Sequence, residues 1–215
     1  MSGGHHHDHV HLGHDHDHAP ITSHEPRPEF RRLERAVREL LIAKGIIGPD
    51  EVRKQIELMD SRNPGMGAKI IARAWVDPAF KARLLADAKK AADEMGIDTT
   101  NTAAVMALEN TEKLHHMVVC TLCSCYPKAI LGIPPAWYKT SAYRARAVIE
   151  PRAVLAEFGT VLPDDVEIRV VDSTADLRYL VVPKRPAGTE GWSEERLAAI
   201  VGRDSLIGTT VPVAA

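Results

Sequence analysis

The three cysteines of this 215-residue chain, Cys120, Cys123 and Cys125, fall within six consecutive positions of the stretch VVCTLCSCYP. That placement removes disulfide stapling as a means of holding the fold, because a disulfide framework needs an even set of cysteines spread along the chain. The fold must therefore come from burial. A hydrophobic content of 45% over this length suffices for one sizeable core, or for one domain with a helical arm. The 27 basic and 29 acidic side chains are mixed along the sequence and leave a net charge of -2. No field builds up that would attract nucleic acid or anionic lipid, so neither is expected as a partner. No apolar run approaches the roughly 18 residues that span a bilayer, and the first residues lack the basic-then-apolar order of a signal peptide. A cytoplasmic location is expected.

Three regions follow from the patterning. Residues 1–27 read as a disordered tail: MSGGHHHDHVHLGHDHDHAP holds eight of the eleven histidines with almost no apolar residue to bury. Imidazoles interleaved with carboxylates suit weak multivalent capture of divalent cobalt, nickel or zinc. Residues 28–96 read as a helical arm. Leu33, Val37, Leu40 and Leu41 fall at helical spacing that stops at Gly45, and a second helix is expected over Glu51–Met59, ended by the breaker SRNPGMG. A third is expected over Ala68–Trp75, and Asp77 then caps a helix that has Pro78 in its first position and runs from Ala79 towards Met95. Residues 97–215 read as a metal-binding catalytic α/β domain. HHMVVC is a β-prone run delivering its last residue into the cysteine cluster, and helical turns break at Pro151. VEIRVVDS and RYLVVP alternate as strands, and Ser193 caps a last helix near EERLAAIVGR. The expected fold class is α+β, an N-terminal helical arm followed by a mixed α/β domain that carries the cysteines.

Core packing does not explain the cluster, because CTLCSC follows no core period. A tetrahedral zinc site would need a second cysteine pair, or His115 or His116 as fourth ligand. A redox C-x-x-C motif leaves Cys125 without a role. The C-S-C part suggests another arrangement. If Cys123 and Cys125 give their sulfurs to one metal, covalent geometry carries the backbone nitrogens of Ser124 and Cys125 to the same ion. Six-, five- and five-membered chelate rings then place two sulfurs and two nitrogens in a plane, with Cys120 supplying a third thiolate from below and a sixth position left open. Deprotonated amides demand a strongly polarising trivalent ion that welcomes thiolates, such as low-spin cobalt(III) or iron(III). A small residue is needed in the middle, and Ser124 also leaves a hydroxyl beside the site.

Beyond the cluster, LGIPPAWYKTSAYRARAVIEPR, RPAGTEGWSEERLAAIV and AKIIARAWVDPAFKARLLAD complete a resemblance to the α subunit of nitrile hydratase that covers nearly everything after the histidine tail. The resemblance implies one metal per chain, with Thr121 and Tyr126 pointing to cobalt(III) over iron(III). It implies oxidation of Cys123 to a sulfinic acid and of Cys125 to a sulfenic acid, with Cys120 left a thiolate. It also implies hydration of a small nitrile to the amide, the metal acting as Lewis acid on water or nitrile, and Cys125 and Ser124 as the catalytic residues. The partners it implies are a β subunit, in an αβ heterodimer or heterotetramer, and a cobalt-loading activator protein. Two departures stand out. Lys128 and Ala129 follow Tyr126-Pro127 where relatives often have Trp-Pro, and Asn101 aligns with an upstream glutamine of some relatives. The γ subunit of thiocyanate hydrolase shares the same cluster and is the competing identity; a non-catalytic metal carrier is the competing function. Of the remaining residues, Tyr126 is a possible pocket residue, His115 and His116 are read as structural, Arg144, Arg146 and Arg152 as pairing at subunit contacts, and Trp137 and Trp192 as packing anchors.

Overall fold

The computed structural model describes residues 28–214, so the histidine-rich tail lies outside the described residues. Helices α1 (Pro28–Ala43) and α2 (Pro49–Ser61) contain no buried residue. The expected arm, residues 28–96, thus divides by burial, because the next three helices pack into the core. In α3 (Pro64–Val76), Ile70 and Ile71 are fully enclosed, and α4 (Pro78–Ala86) and α5 (Ala88–Glu94) add Phe80, Leu84 and Ala91 to the same cluster.

Within the arm, two helix boundaries differ from expectation. SRNPGMG does not separate α2 from a helix beginning at Ala68: the Asn63 side chain accepts from the Gly65 N–H at 2.9 Å, Pro64 takes the first helical position, and the glycines lie inside α3. At Gly67 the packing is close: a Cβ would come within 2.8 Å of the Leu131 and Leu206 side-chain ends, which would have to shift. The single helix expected from Ala79 to Met95 is broken at Asp87, whose extended backbone ends α4 and whose carboxylate caps α5 by accepting from Lys90 N–H at 3.1 Å.

The remaining described residues contain four strands. β1 (Ala104–Glu109) pairs in parallel with β4 (Leu177–Val182), and β2 (Leu114–Val119) pairs in parallel with β3 (Glu167–Asp172). Parallel pairing needs a long crossover. For β2 and β3 it is supplied by α6 (Lys128–Leu131), α7 (Ser141–Ile149) and α8 (Pro151–Glu157), with the cysteine cluster at its start. Helices α9 (Glu194–Ala199) and α10 (Arg203–Leu206) close the chain against α3. Ser193 caps α9 as expected, but that helix ends at Ala199 rather than continuing through the following valine and glycine. The segment after α10 runs so close to β2 that a Cβ on Gly208, which has φ +80°, would lie 1.9 Å from the His116 carbonyl oxygen. No helix among the described residues is long and apolar enough to cross a membrane.

Candidate metal centre

Met117, Val118 and Val119 are fully buried, and the last β2–β3 register pair is Val119 with Asp172. Cys120 follows at once, so the cluster emerges at the carboxyl ends of a parallel strand pair, where ligand sites of α/β sheets are built. Three side chains fix its backbone from outside, and a fourth fixes the strand that leads into it. The Asp172 carboxylate accepts from Thr121 N–H at 3.0 Å and from the Thr121 hydroxyl at 2.5 Å. The Arg144 guanidinium, on α7, donates to the Leu122 carbonyl at 3.2 Å. Tyr138 donates its hydroxyl to the Cys125 carbonyl at 2.9 Å, and Tyr143 does the same to the Val118 carbonyl at 2.7 Å. Both phenols belong to an aromatic cluster with Trp137 and Phe158, which gives the loop a rigid backing.

Held in this way, the loop turns its sulfurs towards one point. Cys123 Sγ lies 3.4 Å from Cys120 Sγ and 3.2 Å from Cys125 Sγ, and all three sulfurs fall within 4.8 Å of one another. With metal–sulfur bonds of about 2.3 Å, donors at right angles sit about 3.25 Å apart and tetrahedral donors about 3.8 Å apart. Both observed edges lie nearer the right-angle value than the tetrahedral one. Cys120 and Cys125 are buried, whereas Cys123 is exposed. Hydrogen bonds from the Cys125 and Cys120 sulfurs and from the Ser124 N–H hold the Cys123 thiol down, to about 7. Burial, followed by the neighbouring sulfurs, pushes the Cys125 thiol up to about 12.

Cys123, Ser124, Cys125 and Tyr126 line a cleft of about 370 Å³. Tyr126 packs edge-on against Tyr138 with ring centroids 5.3 Å apart, and its buried hydroxyl has no hydrogen-bond partner among the described residues. Asn101 stays out of the cleft: it is exposed, takes a left-handed turn conformation with φ 56°, and leaves Thr102 and Ala103 to form the wall. His115 and His116 are not grouped with the sulfurs. His115 donates from Nε2 to the Gly208 carbonyl and accepts on Nδ1 from the Asn110 amide, while His116 donates to the Asn110 side-chain oxygen. Burial lowers both imidazole pKa values, which matches this neutral, structural network.

The arginines expected at subunit contacts find their partners inside the chain. Arg146 is enclosed between Glu150 and Glu157, Arg152 donates to the Leu162, Pro163 and Val166 carbonyls, and Arg144 serves the cysteine loop. Their spacing on one helix pair brings these acceptors within reach, which the linear sequence does not display. Trp137 does pack in the aromatic cluster, and Trp192 carries the Arg196 guanidinium 3.5 Å above its ring. Asp172, Tyr138 and Tyr143 were not anticipated. The available signal for Asp172 was its place at the end of VEIRVVDS, which becomes informative once that strand is paired in parallel with HHMVVC.

A family model described as nitrile hydratase, alpha chain, matches residues 28–210. The low-molecular weight cobalt-containing nitrile hydratase subunit alpha of Rhodococcus rhodochrous is 53% identical over 90% of this chain and 95% of that protein. The thiocyanate hydrolase subunit gamma of Thiobacillus thioparus is 44% identical over 90% of this chain and 84% of that protein. Among solved structures, an Fe-type nitrile hydratase double mutant from Comamonas testosteroni Ni1 is 40% identical, with a TM-score of 0.83, covering 88% of this chain and 93% of that one. A recombinant thiocyanate hydrolase with partially modified cobalt centers superposes with a TM-score of 0.81 at 42% identity, over 88% and 95% of the two chains.

Proposed function

This chain belongs to the nitrile hydratase α-chain family, and from that premise we propose that it is the metal-bearing subunit of a cobalt(III) nitrile hydratase, adding water to a nitrile to give the amide. The observation that carries the reading is the convergence of three thiols, two of which, with Ser124 between them, line an open cleft. Cys120, Cys123 and Cys125 would hold the metal through sulfur, and Ser124 and Cys125 through their backbone nitrogens. Cobalt-containing relatives at 53% and 46% identity, together with Thr121 and Tyr126, favour cobalt over iron. When bound, the ion supplies Lewis acidity to water or nitrile.

The chain's own groups do the rest. Cys125, as the sulfenate, carries a negative oxygen at the cleft and acts as nucleophile on the nitrile carbon, or as the base that takes a proton from the attacking water and returns it to nitrogen. Cys123, as the sulfinate, tunes the donor set and offers oxygens to cations of the partner. Ser124 presents a hydroxyl beside the reacting atoms. Tyr138, Arg144 and Asp172 keep the loop preorganised, so little of the reaction barrier goes into arranging it. A β subunit fits the exposed apolar residues of α1, where Phe30, Leu33 and Leu40 remain more than half accessible. A cobalt-loading activator protein and a cytoplasmic setting complete the proposal.

Thiocyanate hydrolysis is the second reading, supported by the 44% identity to a thiocyanate hydrolase subunit. The test is turnover by the cobalt-loaded complex with its β partner. Amide formed from a neutral nitrile is the expected result. Turnover of thiocyanate without any amide product would transfer the assignment to the second reading, and failure of both in fully loaded protein would leave a metal carrier.

A further inference from the structure

The strand that feeds the cysteine loop is held by a segment from the far end of the chain. Val118 N–H donates to the Ile207 carbonyl at 2.9 Å, and the next residue, Gly208, presses on the His116 carbonyl. The Thr160 hydroxyl donates to the Thr209 carbonyl at 3.0 Å from the other side. One side chain of β2 ties this segment down directly: His115, only 3% exposed, donates from Nε2 to the Gly208 carbonyl at 2.7 Å. The proton arrangement on His115 is dictated by its neighbours. A carbonyl only accepts, so Nε2 carries the hydrogen. The Asn110 side-chain oxygen is fixed, because it accepts from the His116 main-chain N–H at 2.8 Å and from His116 Nδ1 at 3.1 Å. The Asn110 amide nitrogen therefore faces His115 Nδ1, at 3.1 Å, and Nδ1 must accept.

A proton added to His115 sets two donors against each other in a buried place. The Asn110 amide cannot turn to relieve them without taking its oxygen away from His116. His116 is not sensitive in this way, because its Nδ1 already donates. The charged groups around the pair are engaged with one another. Glu167 and Arg169 of β3 act on His116 and pair at 2.8 Å. Glu112 and Lys184 line a cavity of about 270 Å³ beside His115 and pair at 2.7 Å. Glu109 of β1 pairs with Lys81, and Asp165, ahead of β3, with Lys113. From α7, Tyr143 serves the Val118 carbonyl, and Arg146 is held by Glu150 and Glu157. Arg178 of β4 acts on Cys125, at the metal end. On α10, the Asp204 carbonyl accepts from Thr209 N–H at 2.8 Å, and burial raises the Asp204 carboxyl.

We propose that Asn110, His115 and the Gly208 carbonyl form an acid-released latch, which pins the C-terminal segment onto β2 while His115 is neutral and lets it go when His115 takes up a proton. Burial lowers the His115 pKa from its ordinary value of 6.5, so the latched ring refuses a proton that the released ring accepts. The latch is therefore fully closed above a pH of about 6.5 and opens progressively as pH falls below it. Val118 lies two residues ahead of Cys120, so opening takes a main-chain hydrogen bond from the strand that positions the metal loop.

The test is hydrogen exchange of the metal-loaded complex of the full chain with its β partner, read by mass spectrometry at about pH 7 and about pH 5 and corrected for the intrinsic pH dependence of exchange. Protection of the peptides covering residues 114–119 and 205–212 is expected to fall about tenfold at the lower pH, against a ceiling of about 25-fold for a ring that recovers a pKa of about 6.5 on release. His115→Gln keeps a donor for Gly208 and an acceptor for Asn110 but cannot titrate, so its protection should be equal at the two pH values. In Asn110→Asp the carboxylate accepts from a protonated Nδ1, and the fall should again vanish. Asp204→Asn is the control for the other buried acid and should keep the fall of the unaltered chain. Protection that does not change with pH in the unaltered complex, a fall that persists in His115→Gln, or one abolished by Asp204→Asn overturns the proposal. If His115→Gln does not fold, Asn110→Asp decides, and a fall that persists there overturns it equally.

Discussion

Replacing Tyr138 by phenylalanine deletes one oxygen and changes nothing else about a fully buried ring. The lost hydroxyl donates to the carbonyl of Cys125 at 2.9 Å, and Cys125 is itself only 9% exposed. The carbonyl is left without that donor in a place water reaches poorly, which costs about 1–3 kcal/mol. For a chain of this size that corresponds to a fall in Tm of about 2 to 12 °C. Tyr143→Phe is the control, because its hydroxyl serves the Val118 carbonyl at 2.7 Å, two residues ahead of the first cysteine. Both variants should lose comparable stability in calorimetric unfolding of the cobalt-loaded complex. Only Tyr138→Phe should also release cobalt faster to a chelator, since only it frees the backbone of a ligand residue. Cobalt release unchanged in Tyr138→Phe, or accelerated equally in Tyr143→Phe, would refute the idea that this phenol preorganises the metal loop.

Three further outcomes follow. Ser124→Ala should still bind cobalt and still acquire both oxidised cysteines with only a modest loss of turnover, whereas Cys125→Ser should lose metal and oxygen chemistry together; metal analysis of the two purified variants checks this, and equal loss would make the hydroxyl itself a ligand. In metal-free protein, iodoacetamide should alkylate Cys123 before Cys125, at a rate rising through a pH of about 7, because the alkylating species is the thiolate and burial holds Cys125 protonated up to about 12; mass mapping that finds Cys125 labelled first would contradict the order. Gly208→Ala should cost about 3 kcal/mol or more and sharply reduce soluble yield, since a Cβ would sit 1.9 Å from the His116 carbonyl oxygen on a backbone of φ +80°; near-normal stability would show that the C-terminal segment does not press on β2 as described.

The clustering of the three thiols was legible in the sequence because all three lie within six positions. The short C-S-C spacing lets Cys123 and Cys125 turn their sulfurs to one point, and the structure brings those two sulfurs to 3.2 Å. Local helix signals were equally readable where a cap or proline marks the end, as at Asp77 and Ser193. They were less so at Asp87, which in the sequence looks like one more polar residue in an alanine-rich run and in the fold caps a new helix. β1 was missed altogether: Ala-Val-Met-Ala-Leu-Glu consists mainly of good helix formers and becomes a strand through its parallel pairing with β4, more than seventy residues away. The supports of the loop share that difficulty. Asp172 acts 51 residues from Thr121 and Arg178 joins the cleft from β4, so both acquire meaning only after the strands are paired.

The central claim is that three cysteines and two backbone nitrogens form an oxidised, trivalent metal site, and it can be put to one measurement. Trypsin should release residues 114–128 as a peptide carrying all three cysteines, and mass spectrometry of protein purified with its partner, alongside metal analysis, reads the site directly. The account predicts about one cobalt per chain, two oxygens on Cys123 and one on Cys125, assigned by fragment ions because Met117 lies in the same peptide. Three unmodified thiols, with stoichiometric zinc in place of cobalt or iron, would contradict it.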